Sequence, residues 1–173
     1  MVLSVHTLVG GALGAVLPVS PVTSLVIGFA SHFALDAIPH ADYPLQSLSK
    51  EREDRGQDAM SKDSRLAHDL VVNGIDGILG FLILVSLAYN SHSLFSVVLG
   101  GVGACIPDGL QFLYFMFPKN KPLKAFKKFH GIFHTPLRIE EFMKKHTALT
   151  VLVQGAIACI ALLTIIRAIP IPF

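Results

Sequence analysis

The composition of the chain excludes an ordinary soluble domain. Of its 173 residues, 52% are hydrophobic and only 15% are charged, and the mean hydropathy is +0.60, whereas soluble domains carry about 25% charged residues. The net charge is only +2, and the two cysteines, Cys105 and Cys159, lie within apolar runs, which is not the pattern of a disulfide framework. These values predict a single membrane domain built from apolar helices.

The apolar runs, in chain order, predict an all-α, polytopic membrane bundle of about five transmembrane helices. The first two runs meet at Pro18 and Pro21 and are short for a hydrocarbon core of about 30 Å, so we expect a short or re-entrant hairpin there. Polar segments at 41–65 and 119–146 separate the later runs. The predicted helices span residues 3–18, 22–38, 66–90, 94–117 and 147–169 of one domain, 1–173.

The positive charges predict the orientation of this bundle. Thirteen of the 14 Lys and Arg residues lie in 50–65 and 119–145, and Arg167 is the exception. Basic loops of membrane proteins face the cytoplasm. We therefore expect an integral protein of the cytoplasmic (inner) membrane, with the amino terminus and both basic loops inside and the carboxyl terminus outside. The second basic loop is expected to contact the anionic head groups of membrane lipids, and no nucleic-acid partner is expected.

The segment Ser31–His40 carries the main candidate site. Its residues His32, Asp36 and His40 are spaced i, i+4 and i+8, which places them on one side of a helix. Pro39 is expected to end that helix, because the residue before a proline avoids the α region. Imidazole and carboxylate ligands without thiolates suit Zn²⁺ first, and Mn²⁺ or Fe as alternatives. The pattern therefore predicts a site for a divalent transition metal.

The predicted topology brings further His and Asp residues to the same cytoplasmic half. His6 begins the first helix, Asp108 lies in the fourth, and His130 and His134 lie in the second basic loop. Because ionisable groups within a bilayer face the protein interior, we expect these residues to complete or bridge the metal site. By helical rise, Asp108 should lie about 15 Å below the cytoplasmic rim and His6 about 5 Å below it.

The third predicted helix carries a polar stripe formed by Asp69, Asn73 and Asp76, which helical geometry places within about 60° of one another. His68 points about 100° away from that stripe. Asp69 or His68 is predicted to act as a general base or to orient a metal ligand, and Asp76 is a third candidate catalytic residue. The alternative for the stripe is a ladder of hydrogen bonds between helices.

Four short motifs occur together in this chain. They are an early His (His6 in VHTLVGG), an H-x-x-x-D helix end (His32 and Asp36), a G-x-x-x-P-D element ending at Asp108, and paired histidines (His130 and His134 in FHGIFHT). The set resembles the small inner-membrane proteins called membrane-bound metal-dependent hydrolases. That resemblance implies a helical membrane protein with a metal-dependent hydrolase activity.

These observations predict a metal-dependent hydrolase near the cytoplasmic interface, acting on a phospholipid or a lipid-linked phosphoester. The alternative is a non-enzymatic membrane protein, either a metal or proton carrier or an assembly scaffold, whose His/Asp cluster is structural or binds metal. A carrier needs polar residues in both halves of the membrane. Residues 79–88 and 152–166 nearly lack them, apart from Gln154.

Overall fold

The computed structural model describes residues 1–17, 20–40, 42–54, 59–133 and 145–169. Within these ranges the chain is helical, and the only β pairing is an isolated bridge between Leu48 and Met60. The helices are α1 (Leu3–Val16), α2 (Pro21–Asp36), α3 (Lys50–Asp54), α4 (Ser64–Ala88), α5 (Leu94–Met116), α6 (Lys121–Gly131) and α7 (Thr147–Ala168). The predicted all-α class is confirmed.

Three of the described helices, α4, α5 and α7, are long and apolar enough to cross a membrane. They have 25, 23 and 22 residues. The helix α1 is apolar but has 14 residues, which span about 21 Å, and α2 has 16, which span about 24 Å. The predicted membrane character therefore rests on three helices, and a count of five crossings stays a prediction.

Close contacts between glycines hold α1 and α2 against α5. A Cβ added at Gly10 or at Gly28 would collide with the carbonyl oxygen of Gly100, and one added at Gly103 would collide with that of Leu25. Because no side chains intervene, the backbones of the three helices approach closely, as small residues allow in membrane proteins.

The pairing of α1 with α5 sets the depth of the amino-terminal hairpin. Gly14 lies against Ser96, and Gly10 lies against Gly100 and Ala104, so the two helices run antiparallel. If this pairing is extended to the first turn of α1, α5 continues about nine residues, or about 14 Å, beyond the start of α1. The difference in depth expected between His6 and Asp108 is therefore not observed, since α1 begins well inside the bundle.

A helix that begins inside the bundle needs partners for its first N–H groups, which have no acceptor within the helix. Side chains of two other helices provide them. The carboxylate of Asp76 on α4 accepts from the backbone N–H of Ser4 at 2.9 Å and from its hydroxyl at 2.7 Å. The amide oxygen of Gln154 on α7 accepts from the N–H of Val2 at 3.2 Å. The negative charge of Asp76 also matches the positive end of the α1 dipole.

The opposite end of the bundle is apolar. Residues from α1, α4, α5 and α7 form one buried cluster there, which comprises Leu8, Ala12, Leu84, Ala88, Val97, Ala161, Ile165 and Ile169. The carboxyl end of α7 therefore lies near the turn that joins α4 to α5. Among the described residues, His92 and Arg167 lie toward this end, whereas the Asp residues and the other histidines lie toward the opposite end.

The replacement Gly28→Ala tests the close packing of α2 on α5. The added Cβ meets the backbone of Gly100, which cannot move without shifting a helix, so we expect a loss of about 1–3 kcal/mol of unfolding free energy. In the control Gly155→Ala, on α7, the new Cβ meets nothing within 4 Å, and better helix propensity should add about 0.5–1 kcal/mol. Unfolding in detergent, followed by circular dichroism, measures both; effects of the same sign would contradict this packing.

Candidate metal centre

The carboxylate of Asp36, the last residue of α2, is the centre of the candidate site. It is 1% exposed, and its two oxygens face different groups of partners. The Oδ2 atom lies 2.9 Å from Nε2 of His32, one turn earlier on α2, and 2.9 Å from Nε2 of His130. Both imidazole rings are fully buried. The i, i+4 spacing therefore places His32 beside Asp36 as predicted.

The amphipathic helix α6 delivers His130 to this carboxylate. Aromatic side chains of α6 pack on Phe33 of α2, with ring centroids 6.4 Å away for Phe126 and 5.2 Å away for Phe129. On another side of α6, Lys127 forms an ion pair with Glu53 and lies 5.4 Å from the ring of Tyr114. These contacts hold the carboxyl end of α6 over α2, so His130 points into the bundle.

The orientation of His32 is fixed by a backbone carbonyl of α5. Nδ1 of His32 lies 2.8 Å from the carbonyl oxygen of Ala104, and this ring nitrogen must donate because a carbonyl only accepts. Nearby, Pro107 has no N–H to offer the carbonyl of Gly103, which interrupts the ladder of hydrogen bonds in α5. A histidine held in this way presents Nε2 to the site as a lone pair, as in metal-binding histidines whose second nitrogen donates to a carbonyl.

Asp108 completes a group of four possible ligands. One ligand atom from each of His32, Asp36, Asp108 and His130 lies within 4.8 Å of all the others. The Oδ1 atom of Asp108 is 3.6 Å from Nε2 of His32, and its side chain is 29% exposed, the most open of the four. Among the described residues this is the group that could hold a metal ion.

The spacing of these atoms fits the chemistry of a bound cation. Nε2 of His32 and Nε2 of His130 are 3.1 Å apart, and each is 2.9 Å from Oδ2 of Asp36. Neighbouring ligands of a tetrahedral Zn²⁺ ion with bonds of about 2.0–2.1 Å lie about 3.3 Å apart. Neutral His32, with its proton on Nδ1, would place an acceptor against the carboxylate. A cation shared by the three atoms, or an extra proton on the ring, removes that conflict.

His6 and His40 lie on the other side of the same carboxylate. Nε2 of His6 is 3.2 Å from Oδ1 of Asp36, and its ring stacks on that of His32 with centroids 4.0 Å apart. Nε2 of His40 is 3.9 Å from that oxygen and closer, at 3.3 Å, to Oδ1 of Asp42. Both histidines therefore lie beside the carboxylate of Asp36, but the group of four possible ligands does not include them. His134 lies outside the described residues.

Asp42 extends the charged network beyond the helices. Its Oδ1 atom is 2.5 Å from the amino-terminal nitrogen of Met1, which is also 3.4 Å from Oδ1 of Asp36. Partial desolvation would raise the pKa of the Asp42 carboxyl, but its hydrogen bond with His40 and the positive amino terminus outweigh that effect and lower this pKa. Asp42 is therefore an anion over the whole physiological pH range.

The predicted catalytic residues of α4 make structural contacts. Asp69 accepts from the N–H of Gln46 at 3.1 Å and from the N–H and hydroxyl of Ser47 at 2.8 and 2.6 Å. Asp76 binds Ser4, as described above. His68 is half exposed, and its Nδ1 lies 3.5 Å from Asp69. The stripe thus connects α4 to α1 and to the segment around 46–47, which matches the alternative of a hydrogen-bond ladder.

Two hydrogen-bond partners were not predicted from the sequence: the Ala104 carbonyl, which binds His32, and Gln154, which binds the N–H of Val2. A backbone carbonyl such as that of Ala104 leaves no signal in a sequence, because every residue has one. Gln154 stood out as a strong polar group within an apolar run. That isolation is typical of a residue with a specific partner inside the membrane, although it does not reveal which helix supplies the partner.

Comparison of the whole chain with protein-family models, with curated proteins and with solved structures finds no match. The interpretation of the site therefore depends on its own geometry.

The replacement Asp76→Ala should separate the ladder from the metal centre. It leaves the N–H and hydroxyl of Ser4 without their acceptor, which costs about 1–3 kcal/mol of unfolding free energy. We expect the metal content of the purified protein to stay at the wild-type level. The control Ser86→Ala, on an exposed face of the same helix, should change stability by no more than about 0.5 kcal/mol. Loss of metal with unchanged stability would assign Asp76 to the centre instead.

Proposed function

We propose that the chain is a membrane-embedded, metal-dependent hydrolase with His32, Asp36 and His130 as ligands of a divalent transition metal. The observation that carries this proposal is the convergence of two imidazole nitrogens and a buried carboxylate oxygen at 2.9–3.1 Å. Zn²⁺ is the first choice of metal, because the ligands are nitrogen and oxygen atoms and their spacing is near that of a tetrahedral site. Mn²⁺ or Fe are the alternatives.

A divalent ion in this setting supplies a bound water of lowered pKa and polarises a phosphoryl or acyl oxygen. Asp108 would be the general base of this group, because it is its most exposed member and lines a cavity. The Ala104 carbonyl keeps His32 in one tautomer, and the stacked ring of His6 limits its rotation. Asp69 lines the cavity and binds Ser47, and it is not the proposed general base.

The proposed substrate is a phospholipid or a lipid-linked phosphoester. The centre lies below the end of α5 by about 12 Å, since Asp108 precedes Met116 by eight residues. The helix α6, which covers the centre, exposes Lys121, Lys124 and Lys128. Lysines in this position attract the anionic head groups of a membrane. The phosphate of such a lipid would be attracted by the lysines of α6. Its reacting group would lie below the surface, at the depth of the centre.

We further propose that α1 and α2 form a hairpin that enters from the cytoplasmic face and reaches the far end of the bundle. Support comes from Ala12 of α1, which packs in the apolar cluster with Ala88 and Val97. The inner-membrane location, the cytoplasmic basic loops and the likeness to the membrane-bound metal-dependent hydrolases belong to the same proposal. They rest on the charge distribution and the four motifs.

A structural role for the cluster is the second candidate. The buried carboxylate of Asp36 is surrounded by His6, His32, His130 and the amino-terminal nitrogen. Extra protons on the histidines would neutralise it without a metal, and such a network can hold helices in one arrangement. In that case the chain is a scaffold, and this role does not explain the partly exposed carboxylate of Asp108.

Elemental analysis and a hydrolysis assay on the purified protein separate these functions. We expect close to one transition-metal ion per chain in wild type and in the control His92→Ala, which is exposed in the turn between α4 and α5. Asp36→Ala and His130→Ala should lose the metal, because each removes one of a few ligands. Wild-type protein that is purified without metal would contradict the hydrolase and favour the structural role.

Asp108→Asn then tests catalysis, because it preserves the volume of the side chain and removes its charge. We expect hydrolysis of phosphatidic acid or of another lipid phosphoester in nanodiscs to fall by a factor of about 10²–10⁴, the usual contribution of a positioned general base. The thermal stability of this variant should stay near that of wild type. Full activity in Asp108→Asn would remove this residue from the mechanism.

A further inference from the structure

A cavity of about 400 Å³ adjoins the candidate metal centre. Its walls are residues 1–3 at the start of α1, part of α4 and part of α5. Residues of the segment 42–45 also line it. Asp108 belongs both to the lining of this cavity and to the four-residue group. The volume lies within the range of about 300–1,000 Å³ that is usual for ligand pockets.

Most of the lining is apolar. The faces of Leu3, Leu70, Phe112 and Phe115 contribute hydrocarbon surface. The neutral polar residues of the lining are Tyr43, Asn73, Cys105 and Gln111. Three carboxylates also belong to the lining. Asp108 is a member of the four-residue group, and Asp42 is linked to Asp36 through the amino-terminal nitrogen of Met1. Asp69 accepts hydrogen bonds from Ser47. The cavity is therefore suited to a ligand with a long apolar part and one polar end.

Two glycines leave the space between α4 and α5 open. Gly74 on α4 and Gly109 on α5 both line the cavity, and a Cβ added to either meets nothing within 4 Å. Elsewhere in the bundle the glycines of α5 are in tight contact with α1 and α2. Both positions, Gly74 and Gly109, can therefore take a larger residue without a clash.

The position of the cavity favours one kind of occupant. Both α4 and α5 are long and apolar enough to cross a membrane, so a groove between them lies at the depth of the lipid chains. We propose that this groove holds the hydrocarbon chain of a membrane lipid whose phosphoester lies at Asp108, an inference that rests on the proposed function. An anionic phosphate is repelled by a bare carboxylate, so it binds at that end only when the neighbouring metal is present.

Gly109→Leu is the variant that tests this assignment. The new side chain takes the space of about two methylene groups of the lipid, and about tenfold weaker binding is expected. Gly155→Leu is the matched control, because it adds the same side chain on an exposed face of α7, where a Cβ also meets nothing within 4 Å. The probe is phosphatidic acid with a photoreactive diazirine in its acyl chain, incorporated into phosphatidylcholine nanodiscs that contain the full chain.

The expected result is cross-linking concentrated on residues 70–74 and 109–115, reduced about tenfold by Gly109→Leu and unchanged by Gly155→Leu. Labelling spread evenly over the lipid-facing residues would contradict binding of the lipid chain in this cavity. Labelling that Gly109→Leu leaves unchanged would contradict it as well. Metal content is measured on the same samples. A wild-type protein that holds metal but is not labelled in the groove refutes this inference alone, whereas a wild-type protein without metal refutes the proposed function first.

Discussion

The buried carboxylate of Asp36 is the interaction on which the arrangement of this bundle depends. Burying an isolated carboxylate is strongly unfavourable, so it needs partners that neutralise it. Its two oxygens face His32 and His130 on one side and His6 on the other, at distances of 2.9–3.2 Å. These partners come from α1, α2 and α6. A displacement of any one of these helices leaves the charge of Asp36 partly uncompensated.

The glycine contacts make this convergence possible. Imidazole nitrogens and carboxylate oxygens can meet within about 3 Å only if the helices that carry them are held in a close and definite register. Gly10, Gly28 and Gly100 bring α1, α2 and α5 into backbone contact. Rigid support of this kind is what a metal or catalytic site requires, because small displacements of its ligands lose coordination. In the proposed metal site, the close packing of α1 and α2 on α5 would also fix the positions of the ligands.

Part of the site could be predicted from the sequence, and the missing parts have physical causes. The pair His32 and Asp36 follows from helical spacing, and the gathering of ionisable residues follows from the order of the apolar runs. The roles of Asp69 and Asp76 were not accessible in the same way. A polar stripe shows that a helix face has partners, but Ser47 and Ser4 become those partners only through packing. The number of crossings also depends on packing, since α1 and α2 are so short that their depth is set by the helices they contact.

X-ray absorption spectroscopy at the metal edge of the purified protein tests the central claim most directly, because it identifies the atoms bound to the metal. We expect nitrogen and oxygen ligands at about 2.0–2.1 Å, with the scattering pattern of two imidazoles and no sulfur at about 2.3 Å. The variant His130→Ala should lose one imidazole from that pattern or lose the metal altogether. Sulfur ligands, a metal without imidazole scattering, or a protein free of transition metal would contradict the assignment of His32, Asp36 and His130.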